Sequence, residues 1–371
     1  MNRKINKNIG YVSIELVITA ALILAVGFFA MMNFGVLGLD TMSRGMSKLD
    51  GTGVFASGET TAPSTGAYDS NGYDKSLNVK TTDINPVSDF EFIDLGDSYS
   101  LINYLNTTDL DVVIPKIYNG KLVVEIADSA FDYDGLYSVA IPNSVKRIGN
   151  KAFNSYSHSL TSVIIPDSVT SIGDLAFFYN GLTSIKIPNS VITIGASAFH
   201  SNFIESIEIP NSVTTIGDSA FMSNKISSLK LSDNMTVIQN QLFSNNKLTS
   251  VTIPNGIKTI GMYAFDVNQI SLLEISSSVE TIDSYAFRNN SLVSLVIPAN
   301  VALLKNGAFT NNLLTSVEFL GNSPIIKYAQ RKPFVGNVGL GLNSIKVPIG
   351  KLAAYKALYN EYGVIVGAFY E

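Results

Sequence analysis

One phrase of residues is repeated along the middle of the chain with a fixed spacing. Its phenylalanine returns every 22 residues, at Phe177, Phe199, Phe221, Phe243, Phe265, Phe287 and Phe309. An asparagine follows three residues after each of them, at Asn180, Asn202, Asn224, Asn246, Asn268, Asn290 and Asn312. Two looser copies, at Phe131 and Phe153, extend the series backwards, with one irregular step of 24 residues between Phe153 and Phe177. The period predicts a repeat solenoid, because one short coil cannot bury its apolar side chains until its neighbours stack on it.

The order of residues within one copy predicts the path of each coil. Apolar and polar residues alternate over residues 183–187, which is typical of a half-buried strand. Pro188 ends that strand, because proline has no N–H to donate to a sheet. Residues 191–194 indicate a second short strand, with Gly195 at the corner that follows. In the next copy Asp218 and Ser219 precede the Ala-Phe pair, which predicts a helix of about one turn.

The repeated phenylalanine and asparagine have different predicted roles. Each phenylalanine is expected to be buried and stacked on its neighbours, contributing about 1.5–3 kcal/mol by burial. Each asparagine is expected to hydrogen-bond the loop backbone and to form a ladder along one edge of the solenoid.

The repeated phrase resembles a known class of bacterial surface protein. It reads L-T-S-V-x-I-P-N-S-V-T-x-I-G-x-x-A-F-x-x-N, which is similar to the BspA-like leucine-rich repeats over residues 109–323. Residues 113–115 with 119–121 resemble the opening unit of that family, and residues 344–348 with 354–355 resemble its closing unit. The resemblance implies a leucine-rich-repeat solenoid of 22-residue coils, with short parallel strands and one-turn helices. It also implies extracellular adhesion or partner binding, with no chemistry of its own.

The segments on either side of the repeats have different compositions. Residues 40–88 are rich in Gly, Ser, Thr, Asp and Asn without apolar periodicity, and we interpret them as a flexible stalk. The solenoid is assigned to residues 89–324, in which the strand-like stretch 90–105 is expected to cap the open end. Residues 325–371 are assigned to a C-terminal repeat and cap. Within them, residues 351–362 have the spacing of a helix that covers the last coil.

The N-terminus has the composition of a membrane anchor. Residues 1–10 form a basic leader, and the only ionisable side chains of the mainly apolar residues 11–39 are Glu15 and the Tyr11 phenol. A helix of that length measures about 43 Å, more than the ~30 Å core of a bilayer requires. The basic leader predicts a cytoplasmic N-terminus, with everything after the anchor outside the cell. No small-residue cleavage motif follows the apolar run, which disfavours its removal as a secretory signal.

A carboxylate at Glu15 is unusual for a plain anchor, because an ionisable side chain in a membrane segment is costly and needs a partner. The run Gly10-Tyr11-Val12-Ser13-Ile14-Glu15 resembles the cleavage site of type IV prepilins. That resemblance implies cleavage between Gly10 and Tyr11, methylation of the new amine, and pairing of Glu15 with the amine of a neighbouring subunit. Tyr11 departs mildly from the more usual Phe, and glycines from Gly35 onward interrupt the long helix that a pilin continues. The alternative is an uncleaved signal anchor with Glu15 near the headgroups.

Charge and the scarcity of reactive residues argue against several functions. The net charge is −5, whereas nucleic-acid-binding proteins carry basic stripes. The chain has no cysteine, which excludes disulfides, a thiol nucleophile and cysteine-ligated zinc. The only histidines are His158 and His200, and neither has a repeated acidic partner at a useful spacing. The sequence therefore predicts no catalytic residue, no metal site, no cofactor and no nucleic-acid partner.

One outward row of the repeats is the candidate binding face. The strand residue between two inward ones must point outward, and parallel strands lie about 4.8 Å apart, so these residues form a column. Its members are Ile164, Lys186, Glu208, Lys230, Thr252, Glu274, Val296 and Glu318. The central five, which we call the outward ladder, are Lys186, Glu208, Lys230, Thr252 and Glu274. Pairing of opposite charges along the column would explain it by structure alone; alternatively, the column lines a ligand-binding face together with Thr193, Thr215, Thr259 and Thr281.

These patterns together predict a non-enzymatic adhesion protein of a bacterial cell membrane. It crosses the membrane once, with its N-terminus in the cytoplasm and its solenoid outside. Its expected ligand is a protein or glycan on another cell or in the matrix. Two arrangements remain open. The chain is either a minor subunit of a type IV pilus-like filament, which would also meet a prepilin peptidase and pilin subunits, or an uncleaved single-pass receptor with no filament role.

Overall fold

The computed structural model describes residue 73 and residues 84–106, 108–132, 134–321, 325–326, 332–357 and 368–371. All of them belong to one unit of the chain, Gly53–Glu371. Among these residues no helix is both long and apolar enough to cross a bilayer. The predicted basic leader, residues 1–10, and the predicted transmembrane or pilin-like helix, residues 11–39, lie outside the described residues.

The chain winds into a β-solenoid of about 11 turns with the leucine-rich-repeat fold. Most coils contribute one short strand to each of two parallel rows. The first row contains β3 (Asp111–Val113), β6 (Ser138–Ala140), β8 (Ser162–Ile164), β11 (Ser206–Glu208), β13 (Ser228–Lys230), β15 (Ser250–Ile253), β17 (Leu272–Ile275), β19 (Ser294–Ile297), β21 (Ser316–Phe319), β23 (Ile345–Lys346) and β24 (Phe369–Tyr370). The second row contains β5 (Lys121–Ile126), β7 (Arg147–Ile148), β9 (Ser171–Ile172), β10 (Thr193–Ile194), β12 (Thr215–Ile216), β14 (Val237–Ile238), β16 (Thr259–Ile260), β18 (Thr281–Ile282), β20 (Leu303–Leu304) and β22 (Ile325–Ile326).

An antiparallel hairpin covers the N-terminal end of the solenoid. After a 3-10 turn at Val87–Asp89, β1 (Phe90–Asp94) pairs with β2 (Ser98–Tyr104). Strand β2 then pairs in parallel with β5, which also carries the short antiparallel strand β4 (Ile117–Tyr118). The hairpin therefore satisfies the open edge of the second row, as the capping of a repeat array requires.

The core is a continuous stack of phenylalanine rings, as the 22-residue period predicts. Neighbouring ring centroids from Phe131 to Phe309 lie 5.0–5.8 Å apart, and the planes are within 17° of parallel. All seven rings of the strict repeat are fully buried. The stack continues to Phe334, whose ring lies 5.9 Å from that of Phe309. The period did not predict Phe334, because it comes 25 residues after Phe309.

The predicted asparagine ladder is confirmed. The amide nitrogen of Asn202 donates to the carbonyl oxygens of Phe177, at 2.8 Å, and Phe199, at 3.2 Å. Its amide oxygen accepts the Leu182 N–H at 3.1 Å. Asn224, Asn246 and Asn268 repeat the same three bonds in later coils. Each asparagine thus joins two coils through backbone groups that are hidden from water.

The predicted one-turn helices are wrong. In the described repeats the residues before each phenylalanine form a series of turns, and Ser219 has a left-handed φ of 59°. The Ser219 N–H donates to Asn240 O at 2.9 Å, and the Phe221 N–H donates to Leu242 O at 3.1 Å, both in the following coil. Because these N–H groups bond the neighbouring coil, they are not available for bonds within a helix.

The predicted strand over residues 183–187 is also wrong as a hydrogen-bonded element. This coil contributes no strand to the first row, which is interrupted between β8 and β11. Neither β8 nor β11 pairs with this segment. The predicted alternation nevertheless holds, since Ile185 and Ile187 are buried while Lys186 is exposed.

A short helix closes the C-terminal end. Helix α1 (Leu352–Ala357) buries Tyr355, whose ring lies 5.0 Å from that of Phe319. The Tyr355 hydroxyl donates to Gly321 O at 3.1 Å. Strand β24 pairs with β23 and extends the first row. The remaining residues of the predicted helix, 358–362, lie outside the described part of the chain.

Part of the segment interpreted as a stalk packs on the solenoid. Tyr73 is fully buried, and its hydroxyl donates to Ile114 O at 2.6 Å. Asn85 is also buried: its amide oxygen accepts the Val113 N–H at 2.8 Å, and its amide nitrogen donates to Asp109 Oδ2 at 3.0 Å. These bonds hold Tyr73 and Asn85 against the solenoid. The polar composition of residues 40–88 did not indicate them, because isolated residues leave no periodic pattern.

Candidate binding surface

The first strand row presents the predicted outward ladder to solvent. In β11, for example, Ile207 is buried while Ser206 and Glu208 on either side are exposed. Lys186, Glu208, Lys230, Thr252 and Glu274 are all exposed. Strand register places Glu208 beside Lys230 and Thr252 beside Glu274. The alternation of the sequence therefore exposes one residue at the same place in each of these five coils.

Electrostatic pairing occurs along this column. Lys230 Nζ lies 2.6 Å from Glu208 Oε1, and the hydrogen bond with Glu208 raises the pKa of Lys230. Further along, Thr252 Oγ1 donates to Glu274 Oε2 at 3.3 Å, and Lys346 Nζ lies 2.9 Å from Glu318 Oε1. The Lys230 and Glu208 side chains are 71% and 65% exposed, so their pair adds little to stability. Both ions therefore remain accessible to a partner.

Ile164 and Glu318 differ from the prediction. Ile164 is only 7% exposed and does not project into solvent. Glu318 is half-buried next to Lys346. Val296 is 46% exposed, as its place in the column predicts. The accessible column is thus the outward ladder followed by Val296.

A second exposed row lies beside the outward ladder and escaped the sequence analysis. It consists of the residues two positions before each member of the ladder and before Val296 and Glu318, which share a face with them because side chains alternate along a strand. These residues are Ser184, Ser206, Ser228, Ser250, Ser294 and Ser316, all exposed, with Leu272 at the equivalent place in one coil. The serine of the repeated L-T-S-V phrase was the available signal. The row gives the face hydroxyl groups that both donate and accept hydrogen bonds.

The threonine row belongs to the other strand row. Thr193 pairs with Thr215 in β10 and β12, and Thr259 pairs with Thr281 in β16 and β18. Those strands form sheets separate from the ones that carry Glu208 and Thr252. The structure therefore places the threonines and the outward ladder on different sheets rather than on one.

Comparison with family models identifies the repeat. The model of the BspA type leucine rich repeat region matches residues 124–249 and 214–340, which together cover more than half of the chain. The chain belongs to the BspA-type leucine-rich repeat family. No curated protein matches it.

Solved structures of leucine-rich repeat proteins resemble this BspA-type chain. One from Bacteroides ovatus is 28% identical, with a TM-score of 0.60, and the match covers 70% of this chain and 69% of that one. One from T. pallidum is 26% identical over 56% of this chain and 88% of that one, with a TM-score of 0.41. A leucine-rich cell surface protein from Faecalibacterium prausnitzii is 22% identical over 75% and 92%, with a TM-score of 0.45. The first of these supports the leucine-rich-repeat fold.

The two histidines of the BspA-type chain make structural contacts. His158 Nδ1 lies 2.8 Å from Asn180 O, and its ring packs on Tyr179. His200 packs edge-on against Phe178, and burial lowers the pKa of its imidazole. In the part of the chain that the structure describes, no group of three or more His, Asp or Glu residues is arranged to hold a metal ion. The matching family is a repeat family and not a family of enzymes.

The predicted processing residues lie outside the described part of this BspA-type chain. They are Gly10, Tyr11 and Glu15.

Proposed function

We propose that the chain is a non-enzymatic cell-surface protein that binds a partner through the outward ladder. The proposal rests on the exposed ion pair of Glu208 and Lys230 in the outward ladder. A row of exposed serine hydroxyls lies beside it. Solenoids commonly bind through such extended faces. Function belongs to the site and not to the fold, so the ladder's own chemistry defines the ligand: a protein or glycan that exchanges hydrogen bonds and charges with it.

The place of the protein in the cell follows from its N-terminal sequence. The basic leader and the apolar run 11–39 have the charge bias and length of a single-pass anchor with a cytoplasmic N-terminus. Such an anchor presents the solenoid on the outside of a bacterial membrane, where the partner lies on another cell or in the matrix.

The prepilin-like run at Gly10 extends this proposal to a surface filament. Cleavage before Tyr11 would free an amine that pairs with Glu15 of a neighbouring subunit, and the chain would enter a type IV pilus-like filament as a minor subunit. The uncleaved receptor is the competing arrangement. Mass spectrometry of the mature N-terminus separates the two: methylated Tyr11 supports the filament subunit, and an intact leader that starts at Met1 contradicts it.

Replacement of three ladder residues tests the binding face. In the variant Lys186→Ala, Glu208→Ala, Lys230→Ala, we expect weaker binding of the full chain to whole cells and to surfaces coated with matrix proteins. The control removes Lys258 and Glu280, another exposed pair, whose Nζ and Oε1 atoms are 2.8 Å apart elsewhere on the solenoid. Unchanged binding by the ladder variant, or an equal loss in the control, would overturn the proposal.

A further inference from the structure

The irregular coil carries a cluster of aromatic rings that the phenylalanine stack does not include. The cluster, which we call the aromatic edge, consists of Tyr156, His158, Phe178, Tyr179 and Phe203. The His158 ring lies 4.1 Å from that of Tyr179 and 4.9 Å from that of Phe203. The Tyr156 ring lies 6.1 Å from that of Tyr179 and 6.4 Å from that of Phe178. Tyr156 is 63% exposed, so the edge opens to solvent.

Packing of the coils does not require aromatic residues at these positions. Phe178 follows a core phenylalanine directly, and the residues at the same place in the next coils are His200, Met222, Ser244, Asp266, Arg288 and Thr310. The place of Tyr179 is taken by Ser201, Ser223, Asn245, Val267, Asn289 and Asn311. All of those coils bury their core phenylalanine as completely as this one does. The Phe178 and Tyr179 rings are therefore not required by the packing of the coils.

Three serines of the same loop hydrogen-bond one another, of which Ser155 is buried, Ser157 is exposed and Ser159 is half-buried. The step from Phe153 to Phe177 is two residues longer than the repeat, and the longer loop places three serines next to Tyr156 and His158. Ser155 Oγ lies 3.0 Å from Ser157 Oγ, which lies 2.9 Å from Ser159 Oγ. Each hydroxyl can donate one hydrogen bond and accept others.

The charge of the edge is low. The ammonium of Lys225 lies 4.5 Å from the centroid of the Phe203 ring, in a cation–π contact. The His158 Nδ1 atom is already engaged by Asn180 O. A surface that combines aromatic faces, hydroxyl groups and one cation suits a ligand that has apolar C–H faces and its own hydroxyl groups, and it offers little to a strongly charged ligand.

We propose that the aromatic edge is a carbohydrate-binding site for a neutral saccharide. The sugar ring stacks on the exposed Tyr156 ring, and its hydroxyl groups bond Ser157 and Ser159, so that apolar area binds the ring and a few polar groups orient it. The inference builds on the proposed binding role of the protein but uses a surface different from the outward ladder, so each can fail without the other.

Saturation-transfer NMR of the full chain with a mixture of lactose, maltotriose and chitotriose tests this site. We expect the wild type to transfer saturation to at least one of the sugars. Tyr156→Ala should bind that sugar about fivefold more weakly, because it loses a stacking contribution of about 1 kcal/mol. Tyr156→Phe keeps the ring and should retain binding. The exposure of Tyr156 makes both variants compatible with folding, which a thermal melt verifies.

Tyr263→Ala is the matched control, because Tyr263 is a ring on the same solenoid whose face is covered by the Arg288 guanidinium, 5.0 Å from its centroid. It should leave sugar binding unchanged. An absence of saturation for all three sugars would overturn the proposal, as would equal losses in Tyr156→Ala and Tyr263→Ala. Binding of an oligoproline peptide in place of the sugars would also overturn it and would assign the edge to a peptide. Intact sugar binding in the ladder variant would show that the two surfaces are separate.

Discussion

The side-chain amide of Asn246 donates to the carbonyl oxygen of Phe221 at 3.0 Å, although the two residues are 25 positions apart. The same nitrogen donates to Phe243 O at 3.1 Å, and the amide oxygen accepts the Ile226 N–H at 3.0 Å. Asn246 is 3% exposed. One buried side chain thus satisfies backbone groups of successive coils that water does not reach.

Replacement of Asn246 should therefore be costly. Asn246→Ala leaves several buried backbone groups without partners, at about 1–3 kcal/mol for each, and we expect urea unfolding of the full chain to show a loss of at least ~2 kcal/mol. The control is Asn300→Ala, which removes one exposed bond to Ser277 O and should cost less than about 1 kcal/mol. Equal losses in the two variants would show that the buried hydrogen bonds of Asn246 contribute no more to stability than the exposed bond of Asn300.

The phenylalanine stack should be sensitive to ring removal at its centre. The Phe221 ring lies 5.3 Å from that of Phe199 and 5.8 Å from that of Phe243. Phe221→Ala should lower the free energy of unfolding by about 3–5 kcal/mol, and Phe221→Leu by less, since leucine refills part of the cavity. Calorimetry measures both. Met222→Ala, at the next and half-buried position, serves as the control, and a cost there as large as that of Phe221→Ala would contradict the role of the stack.

The corner glycine tests how closely coils approach. A Cβ atom on Gly195 would lie 2.3 Å from Asp174 N and 2.4 Å from Gly173 C, so the backbone of the preceding coil must shift. Gly195→Ala should destabilise the protein by about 1–3 kcal/mol, the usual cost of overpacking. Gly341→Ala adds the same methyl where no atom lies within 4 Å and should be neutral in thermal unfolding. A tolerated Gly195→Ala would mean that the coils are not held at this spacing.

The stability of the protein should depend on pH through the ionisation of Asp134. Burial, with the neighbouring Asp132 carboxylate, raises the pKa of Asp134 to about 6, against 3.8 ordinarily. Between about pH 4 and pH 6 the folded state holds a proton that the unfolded state releases, so the contribution of this group to stability is full below pH 4 and is lost as the pH rises to 6. Asp134→Asn should therefore gain stability relative to wild type across that window.

Asp128 should affect the pH dependence of stability in the opposite direction. Burial alone would raise its pKa, but hydrogen bonds from the Asn150 N–H and from Arg147 hold the pKa of Asp128 below its usual value. Its contribution is present above the ordinary pKa and is lost as the pH falls, so Asp128→Asn should lose stability at neutral pH. Urea unfolding at several pH values measures both variants. If the difference in unfolding free energy between wild type and Asp134→Asn does not change with pH, the raised pKa of Asp134 is contradicted.

Features set by the period were predictable, because every coil repeats them. The burial of Phe221, the bonds of Asn246 and the exposure of Glu208 beside Lys230 each follow from one residue type at one place in the coil. In a repeat array the same residue type returns at the same place in every coil, so a structural role inferred for one coil is supported by all of them.

Features set by contacts between coils were not predictable. Ser219 and Phe221 have the local sequence of a helical turn, but their N–H groups bond the following coil, which no local pattern encodes. Ile164 has the place of an exposed residue but is buried. Phe334 joins the stack in spite of its irregular spacing. Tyr156 and His158 of the aromatic edge lie in the one step that is two residues longer than the repeat, about which the period makes no prediction.

Carboxyl footprinting of the full chain, free and bound to a surface coated with matrix proteins, tests the central claim that the outward ladder is the binding face. Mass spectrometry then reads the labelling of individual glutamates. We predict that Glu208 and Glu274 become protected on binding, whereas Glu280, an exposed glutamate outside the ladder, remains labelled as in the free protein. Protection of Glu280 with unchanged labelling of Glu208 and Glu274 would contradict the account.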